Sequence, residues 1–376
     1  MSNQNCVALP SEGPFGWGQA GAEITKGLIG HGWQGSSLPD GYVGVKGLNV
    51  PLVQAISGPD WGMTHRAVGV PNWGYGFIEN DIAASSLMPL ASRLWDGVIC
   101  GSNWMADWVT RATKSVSSWV PEITTATQGV NPEVFNFRPF GRTSKDSFII
   151  GSFGKFEYRK AQDVVIKALS LFSQRHKDAI LCHNWFNPWP SLAVDAMGNS
   201  DWSFQFETHQ NPRYNIWPEV LSNIRIKISN LKIREMPFGF SGDSQEEIAK
   251  EMAMCDVILF PNRCEAGTNL MLHQALAIGV PCIVANATGQ ADLVEHADYP
   301  CRDLALNGGE DYVYSRNGAD LGNWHRVCMD DVLDKLERVY LERDKWAAKR
   351  EEISKFGTSF TWEKTAARIN SIVESY

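Results

Sequence analysis

With 376 residues, 44% of them apolar and 20% charged, the chain is long enough for two globular domains with substantial cores. A net charge of -8 and a pI near 5.5 give no general attraction to nucleic acid or to an anionic membrane surface. No apolar run approaches the roughly 20 residues that span a bilayer, and Met1 to Pro10 lacks the basic start and apolar core of a signal peptide, so the expected location is the cytoplasm.

Short apolar runs alternate with helical patterns, which predicts an α/β protein with parallel sheets covered by helices. In the first half, strands are expected at Cys6 to Leu9, Val50 to Ile56, Gly97 to Cys100 and near Thr124 to Thr127. Helices are expected at Gly21 to Ile29, Ala84 to Trp95 and Trp104 to Thr113. Gly16-Trp-Gly18-Gln-Ala-Gly21 matches Gly-x-Gly-x-x-Gly, and Asp40 lies about twenty residues further on, as a dinucleotide fingerprint would have it. Pro10 to Phe15 separates these glycines from the strand, however, and Asp40 sits in a Pro-Asp-Gly turn, so the fingerprint is weak. His65 lies in a polar loop after a strand and is a candidate cleft residue. Trp17, Trp33, Trp61, Trp73, Trp185 and Trp189 also read as loop residues, whose flat faces stack on sugar rings or bases. The eight cysteines form no Cys-x-x-Cys pair and read as reduced core residues, not as a zinc cage or a disulfide framework.

Phe137 to Asp146 combines Pro, Gly and alternating charge, and the domain boundary is placed there. Ser147 to Phe153 then reads as a strand, and Gly154-Lys155-Phe-Glu-Tyr-Arg159-Lys160 leads into a helix with Val164, Val165, Ala168, Leu169 and Phe172 on its apolar face. Lysines at the start of a helix oppose its dipole, so Lys155 and Lys160 point to an anionic ligand. Asp256 to Pro261 is a second strand of this kind. Gly267, Thr268 and Asn269 open the helix Leu270 to Ala277, which Gly279 and Pro281 stop. Strand, loop and helix N-terminus in this order leave free N–H groups and a positive dipole end facing one spot, with Glu265 and Gln274 beside it. An amphipathic helix is expected over Asp330 to Lys355, its charge run a solvated face, and a last helix introduced by Thr361.

Arg263-Cys-Glu265-Ala-Gly267-Thr268-Asn269-Leu270, followed by Gln274-Ala-Leu-Ala-Ile-Gly279-Val-Pro281, resembles the donor-binding motif of the GT-B glycosyltransferases, especially glycosyltransferase family 4. The Arg-Cys-Glu-x-Gly-Thr-Asn-Leu wording is similar to one subgroup of that family, with Gln274 where a second glutamate stands. Gly154-Lys155 to Lys160-Ala161 resembles the family's Gly-Arg-x-x-x-x-Lys-Gly, with lysine for arginine and alanine for glycine. Phe77 to Asp81, Trp95 to Trp104, Gln128 to Phe135 and the Thr361-Trp362-Glu363 helix start resemble further stretches of the subgroup.

The resemblance implies two Rossmann-like domains facing a cleft: 1–140 on the acceptor side, 141–357 binding the nucleotide sugar, and 358–376 crossing back onto the N-terminal domain. It implies that Glu265 meets the transferred sugar, and that Lys155, Lys160 and the amides of Gly267, Thr268 and Asn269 meet the diphosphate, with Gly154 and Leu270 completing the donor site. Gln274 would hold the ribose, for which an amide offers both a donor and an acceptor. Gly16 and Gly18 would form a glycine-rich loop facing the cleft, with His65 and Glu79 on the acceptor side.

The expected reaction is transfer of a sugar from a nucleotide diphosphate to an acceptor hydroxyl, with retention as the resemblance implies. No Asp-x-Asp occurs to hold a divalent metal on the diphosphate, so metal independence is expected, with no cofactor beyond the nucleotide-sugar co-substrate. The acceptor stays open among a glycan, a lipid-linked sugar, a protein, a metabolite and a modified nucleic-acid base. A catalytically silent nucleotide or glycan binder is the main alternative, because Gln274, Lys155 and Ala161 depart from the pattern. A dinucleotide-dependent oxidoreductase rests only on Gly16, Gly18 and Gly21.

Overall fold

Phe-Ile-Ile-Gly-Ser at Phe148–Ser152 and Val-Ile-Leu-Phe at Val257–Phe260 are buried at every position, a pattern that belongs to strands covered on both faces. The computed structural model describes residues 4–11, 16–35, 46–57, 62–63, 67–79, 92–139, 147–187, 189–200, 219, 222–223, 225, 232–235, 245–316 and 319–376. His65, Asp40, Trp61 and residues 84–91 of the expected helix Ala84 to Trp95 lie outside the described residues, and Ser92–Leu94 forms a short 3-10 turn.

The first sheet is built from β1 (Cys6–Ala8), β2 (Gln34–Gly35), β3 (Leu52–Ser57), β4 (Asn72–Gly76), β5 (Gly97–Cys100) and β6 (Glu122–Thr125). Its order is β2-β1-β3-β4-β5-β6 with every pair parallel, and Gly62–Met63 adds an antiparallel pair at the end of β3. Helices α1 (Gly16–Gly30) and α2 (Asn103–Val116) pack on it. The first cleft candidates need correction here. Gly16 and Gly18 form the first turn of α1, not a loop, and Gly18 faces inward. Gly21 is buried against Pro10 so closely that a Cβ there would overlap the Pro10 carbonyl. These glycines bring α1 close to the end of β1 and do not form a tight turn directly off that strand.

The second sheet comprises β7 (Phe148–Ser152), β8 (Ala179–His183), β9 (Lys232–Glu235), β10 (Val257–Phe260), β11 (Cys282–Ala285) and β12 (Ala305–Leu306). Its order, β9-β8-β7-β10-β11-β12, is again all parallel. Helices α3 (Gln162–Arg175), α4 (Pro190–Gly198), α5 (Gln245–Ala253) and α6 (Leu270–Ile278) connect these strands. The strand order reverses between β7 and β10, and in such sheets ligands bind in the crevice beyond the carboxyl ends of those two strands. The fold is thus the expected α/β pair of parallel sheets.

Two elements differ from expectation. An antiparallel hairpin, β13 (Gly309–Arg316) and β14 (Ala319–Val327), follows β12. The single helix expected over Asp330 to Lys355 is three, α7 (Met329–Leu341), α8 (Arg343–Ala348) and α9 (Arg350–Gly357). Trp346 and Arg350 are both buried, and the chain turns at Glu342 and Lys349 to bring them inward. The charge run is therefore only partly a solvated face. The last helix, α10 (Trp362–Ser375), is capped by Thr361, whose hydroxyl accepts from the Lys364 amide at 3.3 Å. It packs on α1, with Trp33 Nε1 donating to Asn370 Oδ1 at 2.7 Å and Thr365 Oγ1 to the Thr127 carbonyl at 2.7 Å. Among the described residues, no helix is long and apolar enough to cross a membrane.

Candidate functional site

Two loops meet at the crevice between β7 and β10. The loop after β7 starts at Gly154, whose φ of +122° suits glycine, and continues through a short helical turn, Tyr158–Lys160. Ala161 then takes a left-handed φ of 57° before α3 begins, at the position where the resembled motif has glycine. The loop after β10 is stitched to this turn: the Arg159 carbonyl accepts from the amides of Arg263 at 2.7 Å and Cys264 at 3.3 Å. Arg263 secures the join with a two-pronged contact to Asp163 at 2.8 and 2.7 Å, its guanidinium lying 3.9 Å from the Tyr158 ring centroid.

The join places Glu265, 5% exposed, against the Lys160 ammonium, the Asn262 amide and, at 3.2 Å, Arg159 Nη1. Burial alone would raise its pKa, but Lys160 and Arg159 outweigh that and hold the carboxyl below the usual range, so it is ionised. Its backbone is fixed by the loop after β11, donating to Thr288 Oγ1 at 3.0 Å and accepting from the Gly289 amide at 2.8 Å. Glu157 is buried beside it, bound by Arg159 Nε at 2.6 Å and Lys155 Nζ at 2.7 Å. Here too burial pulls the carboxyl up, while Arg159 and Lys155 bring it down to about 2.

The N-terminus of α6 closes the crevice. Asn269 enters the helix with φ of 66° and makes no side-chain cap. Among the described residues, no protein acceptor takes the amides of Thr268, Asn269 or Leu270, so these donors stay open at the positive end of the helix. The Thr268 hydroxyl is engaged with His273 Nε2 at 2.6 Å, which leaves only its backbone for a ligand. Burial holds His273 at about 3, hence neutral. Gln274 is 4% exposed and, among the described residues, its Oε1 has no hydrogen-bond partner.

Residues of the first sheet reach the same place. Ser102 Oγ donates to the Ala266 carbonyl at 2.6 Å, and the Asn103 amide to Asp292 at 2.8 Å. The Glu79 carbonyl accepts from Cys264 Sγ at 3.4 Å and from Trp324 Nε1 of β14 at 3.2 Å, while its carboxylate lies 3.4 Å from Arg159 Nη2. Gly16 meets Leu270, which packs in the core of the first sheet.

The structure thus brings together Glu265, Lys160, Gly267, Thr268, Asn269, Leu270 and Gln274, with Glu79 and Gly16 across the cleft. Lys155 is turned to Glu157 and lies 4.9 Å from the Trp189 ring, and the Gly154 amide donates to Asn184 Oδ1 at 3.1 Å. Trp33, Trp73 and Trp185 are core residues rather than stacking platforms, whereas Trp189 is exposed. Sequence reasoning missed Arg159, Glu157, Asn262, Thr288 and Trp324. Alternation of charge in Lys155-x-Glu157-x-Arg159-Lys160 could have pointed to the first two, but β14 carries no motif that marks Trp324. A cavity of about 670 Å³, lined by His296, Tyr299, Arg302, Lys349, Phe356 and Ser359 among others, shares no residue with this site.

Comparison with known proteins bears on the fold. Residues 223–307 match the family described as glycosyl transferases group 1, and no curated protein matches the chain by sequence. Among solved structures, sucrose-phosphate synthase from Thermosynechococcus elongatus is similar over 99% of each chain, with a TM-score of 0.63 at 13% identity. An α,α-trehalose-phosphate synthase (UDP-forming) from Burkholderia vietnamiensis aligns with 81% of this chain and 69% of its own, with a TM-score of 0.56 at 11% identity. HepE of Anabaena in complex with UDP aligns with 81% of this chain and 72% of its own, with a TM-score of 0.51 at 13% identity. The fold is that of the GT-B glycosyltransferases.

Proposed function

We propose that the protein is a glycosyltransferase resembling family 4, which moves a sugar from a nucleotide diphosphate to an acceptor hydroxyl with retention and without a metal or further cofactor. One observation carries this reading. Glu265 is buried, ionised and fixed by its backbone, and it stands beside cations and the open amides of α6 in the crevice between two sheets. A diphosphate at those amides would meet the helix dipole and the Lys160 ammonium, and could draw Lys155 from Glu157. As the bond from the sugar to phosphate breaks, the charge gathering on the leaving oxygen falls where these positive groups are already oriented. Glu265 then orients the sugar, and Gln274 offers its unpartnered oxygen to a ribose hydroxyl. Departing phosphate and incoming hydroxyl on one face of the sugar give retention with no protein nucleophile: the sugar–phosphate bond breaks, the sugar–acceptor bond forms, and the hydroxyl proton passes to the departing phosphate oxygen. Uridine diphosphate, named with HepE and with the trehalose-phosphate synthase, heads the donor panel. The lack of Asp-x-Asp in the sequence supports metal independence.

The test combines binding with turnover. A thermal-shift series of nucleoside diphosphates and their sugars should single out one base, and hydrolysis or transfer of the matching nucleotide sugar should fall at least about 100-fold in Glu265→Ala and in Lys160→Ala. Full activity in both folded variants overturns the assignment. Tight binding with no turnover in the wild type favours a silent binder.

A further inference from the structure

Arg159 is the most connected cation of the site, yet it takes no part in the chemistry proposed for Lys155 and Lys160. Arg159 contacts three carboxylates from three segments: Glu157 at 2.6 Å, Glu265 at 3.2 Å and, from the opposite sheet, Glu79 at 3.4 Å. Its side chain is 13% exposed, whereas that of Glu79 is about a third exposed. A guanidinium spreads five donors over one plane, so Nη2 can turn to a new anion while Nε and Nη1 keep their carboxylates, which the single nitrogen of an ammonium does not match. Lys155 lies further round the loop, engaged with Glu157 and close to Trp189. Of the cations that touch Glu265, Arg159 is the one whose donors are spread in this way.

We propose that Arg159 is a donor-phosphate ligand that Glu79 occupies, from across the cleft, in the absence of donor. The inference rests on the nucleotide-diphosphate reading of the site. Of the three contacts, that to Glu79 is the longest and the most open to solvent, so it has the least to lose when an incoming anion competes. Glu157 and Glu265, both buried, keep their hold and fix the guanidinium plane. Donor binding then breaks the Arg159 to Glu79 pair and frees the Glu79 carboxylate at the mouth of the cleft, while the Glu79 carbonyl stays tied to Cys264 and Trp324. Glu79 is therefore an internal competitor of the donor, and Arg159 links occupancy of one side of the cleft to the state of the other.

The experiment measures the affinity of the full chain for a nucleoside diphosphate without sugar by calorimetry, in the wild type and in Glu79→Gln, Arg159→Lys, Arg159→Gln and the double variant Glu79→Gln/Arg159→Gln. Removing the competing charge in Glu79→Gln should tighten binding at least threefold. Arg159→Gln should weaken it at least tenfold, and Arg159→Lys should recover part of the loss. The gain from Glu79→Gln should vanish in the Arg159→Gln background, a coupling that two independent structural effects would not produce. If the wild type binds the diphosphate and Glu79→Gln changes nothing, the inference fails alone. If the gain persists without Arg159, it also fails. If the wild type binds none of the nucleoside diphosphates, the reading of the site fails and takes the inference with it.

Discussion

Lys155, Glu157, Arg159 and Lys160 lie within one turn of chain, and the energetics of the site turn on how their charges are shared. Glu157 has the ordinary carboxyl value of about 4.3 when unfolded and about 2 in the fold. A depressed folded value means that its stabilising effect is complete above roughly pH 4.3 and is lost as the pH falls towards 2. Glu157→Gln removes a buried partner of two cations and is expected to cost about 3 kcal/mol near neutral pH. The gap in melting temperature between wild type and variant should close progressively below about pH 4. A gap that stays constant to pH 3 would show that Glu157 acts by packing alone. At this scale the sequence was read unevenly. Glu265 stood out because glycine, threonine and asparagine follow it before an apolar helix. Arg159 did not, since local charge alternation marks its pairing with Glu157 but nothing nearby reveals the two carboxylates, Glu79 and Glu265, that reach it from distant segments. Gly16 and Gly18 read as a loop because glycine is rare within helices, yet close packing of α1 against Pro10 selects glycine at Gly21 and tolerates it nearby.

Among the elements, β7 and β10 were plain in sequence because each is a short apolar run with no polar face, whereas β9, Lys-Ile-Arg-Glu, has no such run to mark it. The hairpin β13–β14 was not plain either, since its residues alternate with charge and it has no core of its own. It is held by Tyr314 and Trp324, which stack with centroids 4.0 Å apart beside Tyr158, and by the His325 amide, which donates to the Arg263 carbonyl at 2.9 Å. The break of one expected helix into α7, α8 and α9 has a similar cause, because tertiary contacts decide which charged residues turn inward. Arg350 is 3% exposed and donates at 3.0 Å to the carbonyls of both Ala253 and Cys255, covering the C-terminal end of α5 just before β10. Burial lowers its pKa to about 10, which still leaves it charged at neutral pH. Arg350→Ala leaves these carbonyls without a donor and is expected to cost about 3 kcal/mol in urea unfolding, far above a surface arginine. A loss below about 1 kcal/mol would mean that water replaces the guanidinium at no cost.

At the scale of the whole molecule, the chain leaves the first sheet, builds the second and returns through α10. Val130 and Thr361 are bridged where it returns, with the Val130 amide donating to the Phe360 carbonyl at 3.0 Å. Trp362, Ala366, Ile369 and Val373 then complete the core of the first sheet with Ile24 and Leu28 of α1. The two helices approach closely because residue 27 is glycine: a Cβ on Gly27 would lie 2.5 Å from the Cβ of Ala366. Gly30, one turn on, has nothing within 4 Å of the same position. The two sites therefore separate helix propensity from packing. Gly30→Ala should be neutral or gain up to about 1 kcal/mol, the usual benefit of alanine over glycine in a helix. Gly27→Ala gains the same propensity but has to push α10 outward, for an expected net loss of about 1–2 kcal/mol. Displacing α10 also disturbs the crossing at Val130 and Thr361, next to Gln128, which Gly267 of the loop before α6 closely approaches. Sugar-nucleotide turnover should therefore fall in Gly27→Ala and not in Gly30→Ala, and limited proteolysis should cut near residues 357–362 sooner in the former. Equal melting temperature and turnover in the two variants would reduce α10 to a cover over α1, with no part in holding the two sides of the cleft in register.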